Sequence, residues 1–234
     1  MSTVDIVIPV YNEERDLPRC LARLVPFLEA NLTHEWRVVI ADNGSTDATL
    51  EVARSLARQY PRVGYIHLDQ KGRGRALRRA WLESTADMVS YMDVDLSTGL
   101  EAFPKLLAAL EEGYDIATGS RLIRGAQVRR SFKRAASSYC YSLLMRAMHF
   151  TSFADAQCGF KALTTRAARA LVPLVESQYW FFDTELLILA QRKGYRIKEI
   201  PVTWMEDPDS RVRLGSYGME CFKGLLRMRF QRLR

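Results

Sequence analysis

Cysteine and histidine are scarce in this sequence and form no recognisable ligand pattern. The four cysteines show no CxxC spacing, and the three histidines lie far apart along the chain. Zinc sites and disulfide frameworks need closely spaced ligands or paired cysteines. The sequence therefore favours neither, and its scattered cysteines fit a reducing compartment.

Long hydrophobic runs are also lacking. No stretch reaches the roughly 18 consecutive apolar residues of a membrane-spanning helix. The N-terminus carries no basic segment, and its apolar run, residues 6–10, is too short for a secretory signal. We therefore expect neither a spanning helix nor a signal peptide in this sequence.

Acidic residues are missing from one long segment. Residues 116–154 contain seven Arg or Lys and no Asp or Glu, and the whole chain has a net charge of +7. Such a basic excess suggests an anionic partner, which includes nucleic acid, anionic lipid or a phosphorylated substrate. Zinc-finger, RNP, KH and basic-zipper patterns are absent from the sequence, so nucleic acid is not the expected partner.

Strand-like apolar runs alternate with helix-like spacing in the first half of the chain. Strands are predicted at residues 5–10, 36–41, 63–68, 88–92 and 116–118, and helices at 13–29, 47–60, 75–84 and 100–112. Further on, helices are predicted at 135–150, 182–193 and 218–232, with a strand at 195–204. The alternation predicts an α/β fold with a Rossmann-like, mostly parallel sheet, within one domain that covers residues 1–234.

Acidic residues stand where the predicted parallel strands end. Asp42 follows the second strand, and Asp93 and Asp95 follow the fourth. Ligands bind at this edge of parallel sheets, and two carboxylates there can hold a hard divalent cation. Gly72 and Arg73 lie in a basic, glycine-containing turn before a helix, which suits a phosphate. Solvated, capped turns would give the same local patterns.

Together these pieces resemble a family 2 glycosyltransferase of the dolichyl-phosphate hexosyltransferase type, with the GT-A fold. The matching segments are IPVYNEE (8–14), ADNGSTD (41–47), GRG (72–74), DVDLS (93–97), GSR (119–121), DAQCGFK (155–161) and FDTELL (182–187). The last two are more similar to the glucosyl than to the mannosyl branch. The resemblance implies a metal-dependent inverting transfer of a hexose from a nucleotide sugar, with UDP-glucose favoured, to a polyprenyl phosphate.

The resemblance also implies roles for the donor-side residues. The nucleoside pocket would be lined by Pro9, Tyr11, Glu13 and Asp42. Asp93 and Asp95 would serve ribose, diphosphate and Mg²⁺ or Mn²⁺, with Ser97 where mannosyl relatives often carry a glutamine metal ligand. Gly72 and Arg73 would face the diphosphate, on which Arg211 would close. Asp183 and Glu185 would contact the sugar, although acids at a helix N-terminus are equally expected from the helix dipole.

On the acceptor side, the resemblance assigns the lipid phosphate to Arg121, Arg134 and Ser138. Asp155 would orient the sugar or the acceptor. Because a phosphate oxygen is already ionised near neutral pH, the reaction needs no general base, and alignment and electrostatic stabilisation carry the catalysis. Residues 1–120 would then form the nucleotide-sugar half, and residues 121–234 the acceptor half.

The predicted helices at 135–150 and 218–232 mix apolar and basic residues. Such helices lie in a bilayer interface or pack their apolar faces into the core, and the sequence leaves both open. We expect a protein at the cytoplasmic face of a membrane, peripheral or tethered by a segment beyond residue 234. The alternatives are a GDP-mannose-dependent mannosyltransferase and, from another class, a sugar nucleotidyltransferase. The latter normally has a glycine-rich loop after the first strand, where this chain has none.

Overall fold

A computed structural model describes residues 2–206 and 214–230 of the chain. The strands are β1 (Thr3–Val10), β2 (Glu35–Asn43), β3 (Val63–Leu68), β4 (Met88–Met92), β5 (Ile116–Ser120), β6 (Gln127–Arg129), β7 (Phe160–Thr164), β8 (Ile197–Pro201) and β9 (Thr203–Met205). The α-helices are α1 (Asp16–Asn31), α2 (Thr49–Gln59), α3 (Arg73–Leu82), α4 (Phe103–Glu111), α5 (Phe132–His149), α6 (Thr165–Leu171), α7 (Phe182–Arg192) and α8 (Leu214–Phe230).

Seven strands form one mostly parallel sheet in the order β3-β2-β1-β4-β7-β5-β8. Only β7 runs antiparallel to its neighbours, β4 and β5. Because β1, β2, β3 and β4 are parallel, their carboxyl ends meet at one edge of the sheet. The sheet and its flanking helices confirm the predicted α/β fold with a Rossmann-like, mostly parallel sheet.

Strand β7 is the main element that the sequence did not predict. It comes from the second half of the chain, yet it lies between β4 and β5 of the first half. The two halves are therefore interleaved in one sheet. Helix α6, which begins directly after β7, was also missed, because its seven residues are too few to display a helical period.

The strand predicted at 195–204 is wrong in one respect, since the segment forms two strands in two sheets. β8 pairs with β5 in the large sheet, whereas β9 pairs with β6 in a separate two-stranded sheet. β9 also reaches the loop after β4, because the Met205 N–H donates to the Ser97 carbonyl at 2.9 Å. The small sheet thus joins the edge of the large sheet to the segment that leads into α5.

Apolar side chains pack on both faces of the large sheet. Along β1, Ile6 and Ile8 belong to one hydrophobic cluster and Val7 belongs to the other. Strands buried on both faces read as continuous apolar runs, as expected for a parallel sheet covered by helices. This burial fixes the strands, and therefore fixes where their carboxyl-terminal loops stand.

Candidate active site

The loops after β1 and β2 are bonded to each other. Asn12 adopts a left-handed conformation with φ 57°. Its N–H donates to Ser45 Oγ at 2.9 Å, and the Thr46 N–H donates to Asn12 Oδ1 at 2.8 Å. The Glu13 N–H donates to Thr49 Oγ1 at 2.7 Å. These bonds hold the predicted nucleoside-pocket loops in one arrangement.

Asp42 lies fully buried at the end of β2. One carboxylate oxygen accepts the Ser45 N–H at 3.2 Å, and the other is 2.6 Å from His67 Nδ1. His67 was not predicted from the sequence. It lies opposite Asp42 in the register of β2 and β3, and this position is known only once those two strands are known to pair.

The other predicted pocket residues lie at or just after the end of β1, the strand that pairs with β2. Pro9 is buried in β1, in register with Ala41 of β2. Tyr11 is half-buried, and Lys71 Nζ lies 3.7 Å from the centre of its ring. Glu13 is half-buried in the same loop. The structure therefore brings the four predicted nucleoside-pocket residues to one edge of the sheet.

A tight turn after β4 carries the predicted metal ligands. The Leu96 N–H donates to the Asp93 carbonyl at 3.1 Å, and the Ser97 N–H donates to Asp95 Oδ1 at 2.9 Å. Asp95 is exposed, and the Asp93 side chain retains 43% of its exposure. Gly159 lies against this turn, and a Cβ at that position would stand 1.7 Å from Asp93 Oδ2. A side chain at position 159 would therefore displace the Asp93 carboxylate from its present place, which gives a physical reason for the glycine of the DAQCGFK segment.

Arg73 lies at the centre of the site. Its guanidinium is 2.5 Å from Asp93 Oδ1 and 3.1 Å from Asp183 Oδ2. It also contacts two aromatic rings, with its guanidinium carbon 4.9 Å from the Tyr91 ring centre and 5.0 Å from that of Trp180. The predicted phosphate-facing turn thus stands directly beside the predicted metal ligands.

The backbone around Arg73 leaves little space for side chains. Gly72 has φ 158°, and a Cβ there would lie 2.7 Å from the Gln178 carbonyl oxygen. A Cβ at Gly74 would lie 2.7 Å from the Cβ of Phe182. The Gly-Arg-Gly sequence therefore lets α3 begin in close contact with the segment before α7.

Beneath Arg73 lies a buried polar cluster centred on Asp183. Tyr91 Oη donates to Asp183 Oδ1 at 2.6 Å, and Lys161 Nζ is 3.3 Å from the same oxygen. Burial, and then the Asp183 charge, raise the pKa of Tyr91 well above its ordinary value, which keeps the phenol protonated as a donor. No role was predicted for Tyr91 or Lys161. A strand that is buried on both faces shows no alternation in its sequence, so the pattern does not indicate which of its residues make polar contacts.

Glu185 has different surroundings from its neighbour Asp183. It is fully buried, and its carboxylate accepts the N–H groups of Glu176 at 3.1 Å and Ser177 at 2.9 Å. Arg227 of α8 is 2.6 Å from the same carboxylate. These contacts tie the loop before α7 to α8, and a sugar would have to displace them. The predicted sugar contact of Glu185 remains a prediction.

Asp155 and Arg121 form a buried pair, and their predicted roles towards acceptor and sugar remain predictions. The Arg121 side chain donates to both Asp155 oxygens, with Nε at 2.7 Å and a terminal nitrogen at 3.0 Å. Burial acts to raise the pKa of Asp155, but the Arg121 charge and hydrogen bonds outweigh it and lower that pKa to about 2. Asp155 therefore stays ionised behind Arg121 and orients its guanidinium.

The remaining predicted acceptor residues lie at the start of α5. Arg134 Nε is 2.8 Å from a carboxylate oxygen of Glu206, whose other oxygen accepts the Ser131 N–H at 2.6 Å. Ser138 Oγ accepts a hydrogen bond from Arg130 at 3.0 Å. Glu206 was not singled out in the sequence, where nothing indicates that it would meet α5. Arg211 lies outside the described residues, so its predicted role stays a prediction.

Helices α5 and α8 each bury one stripe of side chains and expose another. Met145 of α5 and Leu225 of α8 are fully buried, whereas Phe132 and Leu143 are 85% and 71% exposed and Phe230 is 82% exposed. The sequence left open whether these helices pack into the core or lie in a bilayer interface. The two do not exclude each other, because core packing uses one face of each helix and leaves apolar residues on the other. Among the residues that the structure describes, no helix combines the length and apolar character needed to cross a bilayer.

Comparisons with solved structures agree with the observed fold. A glucosyl-3-phosphoglycerate synthase from Mycobacterium tuberculosis, in complex with UDP, superposes with a TM-score of 0.73 at 18% identity and covers 99% of this chain and 82% of its own. The same enzyme in complex with Mn²⁺, UDP and phosphoglyceric acid gives a TM-score of 0.72. At this identity the likeness concerns the fold alone.

Sequence comparisons identify the family. The chain is 38% identical to the glycosyltransferase AglD of Haloferax volcanii over 90% of this chain and 34% of that protein. It is 30% identical to a dolichyl-phosphate beta-glucosyltransferase of Dictyostelium discoideum, over 98% of this chain and 75% of that protein. A Trichomonas vaginalis protein of the same name is 29% identical over 89% of this chain. The chain spans about a third of the AglD length and 65% of the Trichomonas protein. Residues 5–171 match the model of the family Glycosyl transferase family 2, and the chain belongs to that family.

Proposed function

We propose that this chain is an inverting glycosyltransferase that moves glucose from UDP-glucose to a polyprenyl phosphate. The main supporting observation is that two adjacent residues connect the turn after β4, which carries Asp93 and Asp95, to helix α5. Met205 bonds to Ser97 of the turn at 2.9 Å, and Glu206 contacts Arg134 of α5 at 2.8 Å. The end of β9 thus links the turn of Asp93 and Asp95, which suits a metal–diphosphate group, to Arg134, which suits a phosphate.

The choice of glucose and UDP is supported by similar proteins. The relatives from Dictyostelium discoideum and from mouse, at 30% and 32% identity, are dolichyl-phosphate beta-glucosyltransferases. A Mycobacterium tuberculosis enzyme of the same fold is solved with Mn²⁺ and UDP-glucose. In this chain Asp42, whose oxygens also contact the Ser45 N–H and His67, is the carboxylate that would accept a hydrogen bond from the base. Pro9, Tyr11 and Glu13 lie at or just after the end of the neighbouring strand β1.

The residues of the β4 turn suit a divalent cation held together with the donor. Within residues 2–206 and 214–230, no three His, Cys, Asp or Glu side chains form a metal-binding group. Asp93, Asp95 and the Ser97 hydroxyl are nevertheless oxygen donors on one turn, and hard cations such as Mg²⁺ are commonly held by one or two carboxylates plus substrate phosphates. A bound Mg²⁺ or Mn²⁺ would supply charge stabilisation for the leaving diphosphate.

The reaction requires alignment more than proton transfer. An ionised oxygen of the lipid phosphate forms a bond to the anomeric carbon while the bond from that carbon to the diphosphate breaks. The electron pair leaves with UDP, and attack from the opposite side inverts an α-linked donor to a β-linked product. Arg73 and Arg211 would stabilise the diphosphate, while Arg121, Arg134 and Ser138 would hold the acceptor phosphate.

The outer faces of α5 and α8 suit contact with an anionic membrane surface. Exposed apolar residues on both helices stand among basic ones, including Arg146 and Lys223. Helices of this composition bind at the interface through apolar burial and attraction to anionic lipids. We place the enzyme at the cytoplasmic face, where a lipid-linked acceptor would present its phosphate to the start of α5.

A donor and acceptor screen tests the proposal. UDP-glucose and GDP-mannose, each carrying a labelled sugar, are incubated with Mn²⁺ and with undecaprenyl or dolichyl phosphate, and labelled lipid is extracted. We expect label transfer from UDP-glucose and tighter calorimetric binding of UDP than of GDP. Preference for GDP-mannose would indicate a mannosyltransferase. Release of inorganic diphosphate from a nucleoside triphosphate and a sugar phosphate would indicate a nucleotidyltransferase instead.

A further inference from the structure

Arg73 occupies the position beside Asp93 that a metal ion would need. Its terminal nitrogen is 2.5 Å from Asp93 Oδ1, so a cation already neutralises that carboxylate. A divalent ion that used the same oxygen would have to separate this pair. Arg73 could make room for the ion only if its own charge and the charge of Asp183 both keep partners, and its remaining contacts bear on this.

The surroundings of Arg73 allow such a movement. Its other terminal nitrogen lies 3.1 Å from Asp183, and its guanidinium carbon lies 4.9 Å and 5.0 Å from the centres of the Tyr91 and Trp180 rings. Asp183 also has Tyr91 at 2.6 Å and Lys161 at 3.3 Å, so it remains neutralised if Arg73 shifts. Arg73 can therefore exchange Asp93 for another anion at low cost.

We propose that Arg73 is an internal counter-ion of Asp93 that makes metal binding depend on the donor diphosphate. This inference rests on the proposed function, because it takes Asp93 as a metal ligand. Without a donor, the guanidinium competes with the divalent ion for Asp93. When the donor is bound, its diphosphate offers Arg73 a new anionic partner, and Asp93 is released for the metal. Nucleotide and metal then strengthen each other's binding, which is a reciprocal coupling.

Mn²⁺ binding, followed by the EPR signal of the free ion, tests this role without measuring activity. We compare the wild type, Arg73→Gln and Arg73→Lys, each with and without UDP. In wild type, UDP should tighten Mn²⁺ binding strongly. In Arg73→Gln, binding without UDP should tighten by about 5–10-fold, somewhat below the full range for a hydrogen bond to a charged group because the pair is partly exposed. Arg73→Lys, which keeps the charge, should gain less than Arg73→Gln.

Arg75→Gln is the matched control, because it removes the same charge two residues further along α3, where Arg75 contacts Gln70 and not Asp93. It should bind Mn²⁺ like the wild type. Adding Asp93→Asn to Arg73→Gln should abolish the gain. Melting temperatures confirm that each variant is folded.

The outcomes separate the two proposals. If UDP fails to tighten Mn²⁺ binding in the wild type, the proposed donor site is wrong. If UDP tightens it but Arg73→Gln binds Mn²⁺ without UDP no better than the wild type, the donor site stands and the counter-ion role of Arg73 is overturned.

Discussion

The proposed donor side and the proposed acceptor side of this site differ in how the fold positions their charges. Asp42 and the Asp93–Asp95 turn stand at the ends of buried parallel strands, whose backbone positions are fixed by the sheet. Arg134 stands near the N-terminus of α5, and Arg121 follows β5. Strand ends fix the carboxylates and Arg121 at one edge of the sheet, whereas Arg134 lies on a helix and contacts Glu206, which comes from a distant segment of the chain.

Each side also neutralises itself with the opposite charge. Carboxylates of the donor side meet Arg73, while Arg121 and Arg134 of the acceptor side meet Asp155 and Glu206. The partners differ in burial, since Asp155 is 3% exposed and Glu206 is 22% exposed. We therefore expect Arg121 to keep its Asp155 contact when the acceptor phosphate binds and Arg134 to exchange its Glu206 contact for the phosphate, and the following experiments test this difference.

The largest effect is expected at the buried pair. Asp155→Asn should destabilise the protein by about 3–5 kcal/mol, because it leaves the Arg121 charge buried without its partner. Urea unfolding measures this loss. Because the pKa of Asp155 is lowered to about 2, the stabilisation by the pair is fully present above about pH 4, the unfolded-state value. It should be lost only as the pH falls towards 2.

Removal of a donor-side carboxylate should affect catalysis and not folding. Asp95→Ala should lower the transfer rate by about 10²-fold or more, because the leaving diphosphate loses its metal-assisted stabilisation. Glu83→Ala is the control, since it removes another exposed carboxylate, which pairs with Arg79 of α3. Full activity of the wild type in excess EDTA would contradict this prediction.

Arg134→Ala should raise the acceptor KM and leave the UDP-sugar affinity nearly unchanged. The loss should be about 1.5–3 kcal/mol, the range for a hydrogen bond to a charged group. Arg134→Lys should recover only part of it, because a planar guanidinium makes bidentate contacts that an ammonium group cannot. Arg166→Ala, an 83% exposed arginine paired with Asp115, is the control. Weaker donor binding with an unchanged acceptor KM would assign Arg134 to the diphosphate instead.

The smallest effect is expected for Glu206→Gln. Its carboxylate contacts Arg134 and the Ser131 N–H, so it competes with an acceptor phosphate for the same donors. Partly exposed ion pairs contribute about 0.2–1 kcal/mol, so the acceptor KM should fall by roughly 1.5–5-fold. Glu111→Gln, an exposed acid paired with His34, should leave it unchanged. A higher acceptor KM in Glu206→Gln would indicate that Glu206 positions Arg134 and does not compete with the phosphate.

The sequence by itself determined the alternating strands and helices, the parallel sheet and the strand-end position of Asp42, Asp93 and Asp95. These features follow from local periodicity and from the geometry of parallel strands, which depend on nearby residues only. It did not reveal β7, the split of β8 from β9, or the contacts of His67, Lys161 and Glu206. Those depend on pairings between distant segments, such as β4 with β7 and Glu206 with α5, and only the tertiary structure brings those segments together.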